Sequence, residues 1–459
     1  MMQIIADRLR RYLSIHQVSR KEIIIFCIAF FARMIVFVAL IALSATGRAE
    51  MPIAGTDSMG YAHLANNILE HGTFSLSYSA PFAPDAFRTP GYPLFIALCL
   101  LIFRSFFSVA VIQNILAGIS AVLVYRITRF FVTEKFSLIA ALMFALEPSG
   151  IYLSNIVLSE SVFTFFLVWA VYSVLKKDGV AWHVGVLLGC AALIRPIGLI
   201  VAGIVIGFLF FKKQFARGVV VALCCVVALT PWIARNVLVF DTIGLSDVSV
   251  RKLFSYDATL FYAYTHRISD AEASDILRAK LAVQTGVTIS TMTLRESSVV
   301  RDFALGIIRE DPTSFAKFYT IKTIPFFITD GFTDTARKMG FSWGSSPHIS
   351  KLFLTEGVGG IFRELRNTRG INFTVYGFGV LAWMGICIVM LYGALYVTWQ
   401  QTHYRWEALF LLSIVIVTAF LTGTVANARL RYPVTPYMFT LFAVGIFHVR
   451  RSIVSWYGK

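Results

Sequence analysis

"WHVGVLLGCAALIRPIGLIVAGIVIGFLFFKK" occupies Trp182–Lys213. One charged residue, Arg195, interrupts an otherwise apolar run, and Pro196 follows it directly. The run reads as two membrane-crossing segments, Trp182–Ile194 and Pro196–Phe211, meeting in a broken hairpin at Arg195. A basic pair, Lys212 and Lys213, closes the second segment. This reading fixes the class: an all-α polytopic membrane protein.

Composition agrees. The 459 residues are 57% hydrophobic and only 14% charged, where a soluble domain carries roughly 25% charged residues. A transmembrane helix needs about 20 mostly apolar residues. The segments that reach or approach that length are Glu22–Ser44, Val109–Phe131, Phe136–Leu153, Glu160–Leu175, the two around Arg195, Gly218–Ile233, Phe373–Trp399, Trp406–Gly423 and Val434–Val449. That gives about ten spans.

The net charge of +16 would suit a nucleic-acid partner, but the placement of the basic residues excludes one. Arg8, Arg10, Arg11, Arg20 and Lys21 precede the first span. Arg126, Arg129 and Lys135 separate the second from the third. Lys176 and Lys177 follow the fourth, and Lys212, Lys213 and Arg217 the sixth. Arg405 lies between the eighth and ninth, and Arg450, Arg451 and Lys459 follow the last. With alternating spans these share one side, the cytoplasm by the positive-inside bias. Both termini are then cytoplasmic. This requires that Gly91–Phe103, short and preceded by Pro90, lies on the outer surface rather than crossing. The first span reads as an uncleaved anchor. None of the six cysteines falls in the long outer loop, so no disulfide framework is expected.

Three regions follow: residues 1–234, a transmembrane module with a first outer loop at 45–107; residues 235–372, an outer loop or small domain; and residues 373–459, the last spans. In the first loop, Tyr61, Leu64, Ala65, Ile68 and Leu69 recur at helical spacing, and Gly72 ends the helix. Asp57 is expected just ahead of it, as an N-cap with one carboxylate oxygen left free. Glu160 begins the fourth span on the same outer side, where a carboxylate at the edge of an apolar helix is costly and tends to be functional. Five arginines run against the positive-inside bias: Arg88, Arg195, Arg235, Arg429 and Arg431. Arginine grips phosphate with a planar fork. Carboxylates and arginines at one membrane face suit group transfer from a lipid-phosphate donor. A transporter or flippase of lipid-linked sugars is the alternative, although such proteins usually show repeats and midplane charges, and no repeat is seen here. In "NARLRYPVTPY" the residue before Pro433 favours an extended backbone, so Arg429–Tyr432 is expected to be non-helical, with Arg429 and Arg431 on one face and Arg431 the better phosphate ligand.

The ordered stretches "GTDSMGYAHLANNILEHGTF", "FRTPGYPLFIALCLLIF", "EPSGIYLSNIVLSESVF", "LGCAALIRPIGLIV", "TPWIARNVLVF" and "ARLRYPVTPY" resemble glycosyltransferase family 39 of the GT-C superfamily. That family comprises membrane enzymes using polyprenyl-phosphate sugars, among them protein mannosyltransferases and lipid A aminoarabinose transferases. The resemblance implies a GT-C-type helical bundle. It also implies inverting transfer of a sugar to an extracytoplasmic glycan, lipid or protein, with the site facing the exterior of a membrane such as the bacterial plasma membrane. By the same resemblance Asp57 is the catalytic base and Glu160 the second acidic site residue. The resemblance also implies Arg88 and Arg195 as donor-phosphate ligands; the placement of Arg431 in its motif adds it to them, and Tyr61, Tyr92, Arg235 and Arg429 are supporting candidates. Some lipid A-modifying members bind a metal through a glutamate beside the Arg88 position; here the neighbours are Phe87 and Thr89. No cofactor is therefore expected, a divalent metal being the alternative. His63, His71, His266 and His348 show no ligand spacing.

Overall fold

A computed structural model describes residues 18–47, 51–176, 180–338 and 371–457, with Leu354 and Arg363. Arg8, Arg10, Arg11, Lys177, His348 and Lys459 lie outside the described residues. Among those described there is no strand, only an isolated bridge between Ser75 and Pro84.

Helix α1 (Arg20–Ala45) opens in a capping box. Ser19 Oγ accepts from the Glu22 amide, and the Glu22 carboxylate accepts from the Ser19 amide. The outer loop carries α2 (Gly55–His71), which ends at Gly72 with φ +64°, a left-handed conformation that glycine adopts without a Cβ clash. Next come α3 (Gly91–Phe103) and α4 (Phe106–Thr128). The span expected at Phe136–Leu153 is broken into α5 (Glu134–Ala145) and α6 (Pro148–Leu153). Pro148 has no amide proton to continue a helix, and Glu147 caps the new one by accepting from the Gly150 amide.

Helices α7 (Glu160–Leu175), α8 (Ala181–Ile194) and α9 (Ile197–Phe211) follow. Arg195 between the last two is extended, with φ −144° and ψ 127°, so the hairpin break falls where the opening stretch placed it. Helix α10 (Phe215–Phe240) continues through Pro231 and past the expected end at Ile233. Arg235 therefore lies on a helix, and a regional boundary at 235 falls inside it.

The outer segment runs through α11 (Val248–Lys252), a π-helical turn (Leu253–Ala258), α12 (Thr259–His266), α13 (Asp270–Thr285) and α14 (Ser297–Glu310). It has a small core of its own that includes Phe254, Leu277, Leu281, Met292, Val300 and Ala304. Asp311 and Pro312 then start α15 (Pro312–Ile328), the Asp311 carboxylate accepting from the Ser314 amide. After α16 (Phe332–Lys338), helices α17 (Ile371–Trp399) and α18 (Arg405–Thr422) lead to α19 (Ala428–Arg431) and α20 (Thr435–Tyr457).

Among the described residues, six helices are long and apolar enough to cross a membrane, which makes this an integral membrane protein. Four shorter apolar helices are α3, α7, α8 and α9. The last span is inner, with 78% of its apolar window buried, and α10 is peripheral, with 22% buried.

Ion pairs tie one end of the bundle together. Arg126, at the end of α4, donates to Glu22 at 2.6 and 3.1 Å, Lys21 pairs with Glu134, and Lys212 reaches Glu407 at 2.9 Å. The end of α4 thus lies beside the start of α1. The chain from 46 to 105 leaves and returns at one face, so α3 makes no net crossing.

Candidate active site

The opposite end of the bundle gathers the charged outer residues. Helix α2 begins at Gly55, so Asp57 sits in its first turn and does not cap it; the N-cap is Ala54. This corrects the expected cap and leaves the carboxylate free to point outward. Arg88 Nη2 donates to Asp57 Oδ1 at 3.0 Å, and Arg429 Nη1 donates to Oδ2 at 2.8 Å. Burial raises the Asp57 carboxyl, but the Arg429 and Arg88 charges and their hydrogen bonds outweigh it and hold it below its ordinary value.

Glu160 is fully buried at the start of α7. Its Oε1 accepts from Arg195 Nη1 at 2.7 Å and from Arg429 Nε at 2.5 Å. Ser159 Oγ, instead of capping α7, accepts from Arg195 Nη1 at 3.2 Å and lies 3.4 Å from the Tyr61 hydroxyl. The result is one continuous chain, Arg88–Asp57–Arg429–Glu160–Arg195.

Each arginine reaches this chain by a local device. Arg88 packs its guanidinium 4.0 Å from the Tyr61 ring centroid, a cation–π contact. Tyr61 is braced edge-on by Tyr92, whose hydroxyl donates to Gln113 at 2.8 Å. The hairpin break presents Arg195, and Thr89 Oγ1 ties this break to the start of α3 by donating to the Ile194 carbonyl at 3.1 Å.

Arg429 comes from the one-turn helix α19, capped by Asn427 Oδ1, which accepts from the Leu430 amide at 3.0 Å. The extended backbone expected at Arg429–Tyr432 is therefore corrected to a helical turn followed by a 3₁₀ turn. The side-chain cap supplies what the proline-based expectation ignored. On a helix, residues two apart point about 200° from each other. Arg431 accordingly turns inward and is 1% exposed. It donates to the Phe326 and Thr329 carbonyls at 2.9 and 2.7 Å, with its guanidinium 3.5 Å from the Trp383 centroid. It is a bundle-internal cation, whereas Arg429 of the same motif reaches both carboxylates. Arg235 is also occupied elsewhere, donating to the Asp85 carbonyl at 3.0 Å and to Asn236 at 2.9 Å.

Asp57, Tyr61, Arg88, Arg195 and Arg429 line one cavity of about 660 Å³, and neither Arg235 nor Arg431 is among its lining residues. Phe163, Leu167, Val201 and Leu421, from α7, α9 and α18, give it an apolar wall. Ser249, Lys252, Ser255 and Tyr256, from α11 and the π turn, and Arg278, from α13, give it a polar one. Among the described residues no three His, Cys, Asp or Glu side chains converge as metal donors. Guanidinium groups already take both carboxylates here, so the donor set does not fit a divalent ion.

The fold is that of the GT-C membrane glycosyltransferases. The archaeal oligosaccharyltransferase AglB from Archaeoglobus fulgidus, solved with an inhibitory peptide and a dolichol-phosphate, superposes with TM-score 0.50 at 14% identity, over 96% of this chain and 51% of that one. Its apo form gives TM-score 0.51 at 14% identity, over 94% and 51%. This chain thus spans about half the length of those enzymes. ArnT from Cupriavidus metallidurans bound to undecaprenyl phosphate matches over 95% of this chain and 79% of its own at 13% identity, with TM-score 0.40. Residues 87–234 match the family model described as dolichyl-phosphate-mannose-protein mannosyltransferase. The resemblance read from the sequence holds. A search of curated proteins gives no match.

Proposed function

We propose that this protein is an integral membrane glycosyltransferase. It moves a sugar from a polyprenyl-phosphate donor to an acceptor on the non-cytoplasmic face, with inversion at the anomeric carbon. One observation carries the reading: three arginines and two carboxylates form a single chain, of which the arginines and Asp57 line a cavity that also has an apolar wall on membrane helices. Within this chain three guanidinium groups face two carboxylates, so the cations are in excess, and Arg251, Lys252 and Arg278 add to that excess in the cavity lining, which suits an anionic phosphodiester. The wall on α7, α9 and α18 gives the isoprenoid a hydrocarbon-like path to the phosphate. The match of residues 87–234 to a mannosyltransferase model supports the reading.

In this mechanism the donor phosphate engages Arg88, Arg195 and Arg429, which already face the cavity. The acceptor hydroxyl or amine attacks the anomeric carbon. The bond from that carbon to the phosphate oxygen breaks, and the electron pair stays on the lipid phosphate, where the arginines stabilise it. Asp57 takes the acceptor's proton. In the free protein both of its oxygens are engaged by arginines, so phosphate binding, by drawing those cations away, also makes Asp57 a stronger base. Glu160 does not line the cavity; it anchors Arg195 and Arg429.

The test uses purified protein with polyprenyl-phosphate sugars and acceptor candidates. Polyprenyl phosphate should be released, and Asp57→Asn should cut that release by about 10²–10⁴-fold, the usual contribution of a general base. Retention of more than a tenth of the turnover would remove Asp57 as base. A lipid-linked sugar that changes leaflet unmodified would identify a flippase instead.

A further inference from the structure

The turn that carries Arg429 hangs from the outer end of α18, and the outer segment grips that end. Gly423 closes α18 with φ +49° and ψ −116°. A Cβ there would meet the Tyr319 ring at 2.2 Å, so the Tyr319 ring lies directly against the chain. The Tyr319 hydroxyl donates to the Phe420 carbonyl at 2.7 Å. One residue beyond the glycine, Thr424 Oγ1 donates to Asp257 Oδ1 at 2.6 Å. Asp257 lies in the π turn, is 5% exposed, and receives Lys252 Nζ on both oxygens at 3.0 and 2.8 Å. Lys252 in turn lines the same cavity as Arg429.

A buried carboxylate outside the membrane-spanning helices, held by the last residue of α11, has among the described residues one hydrogen bond that leaves the outer segment. That contact lands on Thr424, five residues before Arg429 along a chain made of a glycine kink and a single capped turn. Irregular π turns of this kind frequently mark functional sites. We propose that Asp257, acting through Thr424, is a positioning residue that holds Arg429 in register with Asp57 and Glu160. This rests on the transferase reading, in which Arg429 binds the donor phosphate. It makes the outer segment a part of the phosphate site without touching the phosphate: neither Asp257 nor Thr424 lines the cavity.

Undecaprenyl phosphate is the probe, titrated against the full chain in nanodiscs. Thr424→Val keeps the shape and removes the hydroxyl; Asp257→Asn keeps the shape and removes the charge. Each should weaken binding about tenfold, the scale of one hydrogen bond to a charged group, while Thr424→Ser binds like the wild type. In an Arg429→Lys background, already weakened, Thr424→Val should add nothing, because its effect runs through Arg429. Equal binding by Arg429→Lys, Arg429→Ala and the wild type would overturn the phosphate reading itself. Loss with Arg429→Ala but none with Thr424→Val and Asp257→Asn would overturn only the positioning role. So would an undiminished loss from Thr424→Val in the Arg429→Lys background, which a general structural effect would give.

Discussion

Arg429 and Arg431 are two positions apart and have opposite lives. One lines the cavity and pairs with two carboxylates; the other is buried among backbone carbonyls and a tryptophan ring. Composition and charge sign could not separate them, because both are arginines in one motif. The difference comes from helical phase, and phase depends on the Asn427 cap. Asn427 was legible as a capping residue type, but Pro433 drew the reading toward an extended strand. The separation is testable. Arg429→Ala should lose lipid-phosphate binding with a smaller change in unfolding, because Asp57 keeps Arg88 and Glu160 keeps Arg195. Arg431→Ala should do the reverse, because the Phe326 and Thr329 carbonyls would lose their buried donor, and each buried polar group left unpaired costs about 1–3 kcal/mol. Thermal unfolding in detergent alongside a binding titration distinguishes them, and the opposite pattern would return the phosphate to Arg431.

Among the elements, the hairpin break between α8 and α9 was visible from a charge and a proline inside an apolar run. The end of α2 was visible from Gly72. Less visible was how closely α3 approaches that break. A Cβ on Gly91 would meet the backbone of Leu193 at 2.7 Å, a distance that real Cβ atoms essentially never show, and the opposing atoms are main chain. Nothing local in "TPGYP" reveals that contact, because it joins residues about a hundred positions apart. Gly91→Ala should therefore push α3 from the break and spread Arg88 from Arg195, while sparing the hydrophobic bundle. The measured result should be a loss of lipid-phosphate affinity with membrane insertion intact; an unchanged affinity would show that the phosphate site tolerates the shift. Gly91→Ser should behave likewise, since it carries the same Cβ.

For the whole molecule, the sides of the membrane are open to direct measurement. In a cysteine-free background, Tyr78→Cys and Ser298→Cys, both exposed, should react with an impermeant thiol reagent from outside. Arg104→Cys should do so too, because α3 makes no net crossing. Arg129→Cys should react only after permeabilisation. Reversal of the last two would overturn the assignment of sides. The expectation rests on the basic residues, since positive-inside bias is a property of whole loops. The outer segment was not legible to the same degree: its helices pack into a core of their own, and its hold on Thr424 joins positions 167 residues apart. The chain Arg88–Asp57–Arg429–Glu160–Arg195 has a further consequence for biosynthesis. Four of its members are made early and are electrically balanced, two cations against two anions. Only Arg429, translated more than two hundred residues later, adds the unmatched positive charge. A ribosome-bound intermediate lacking the last spans thus holds only two separate balanced pairs, Arg88–Asp57 and Arg195–Glu160, and the cation that joins them into one chain arrives when Arg429 is in place.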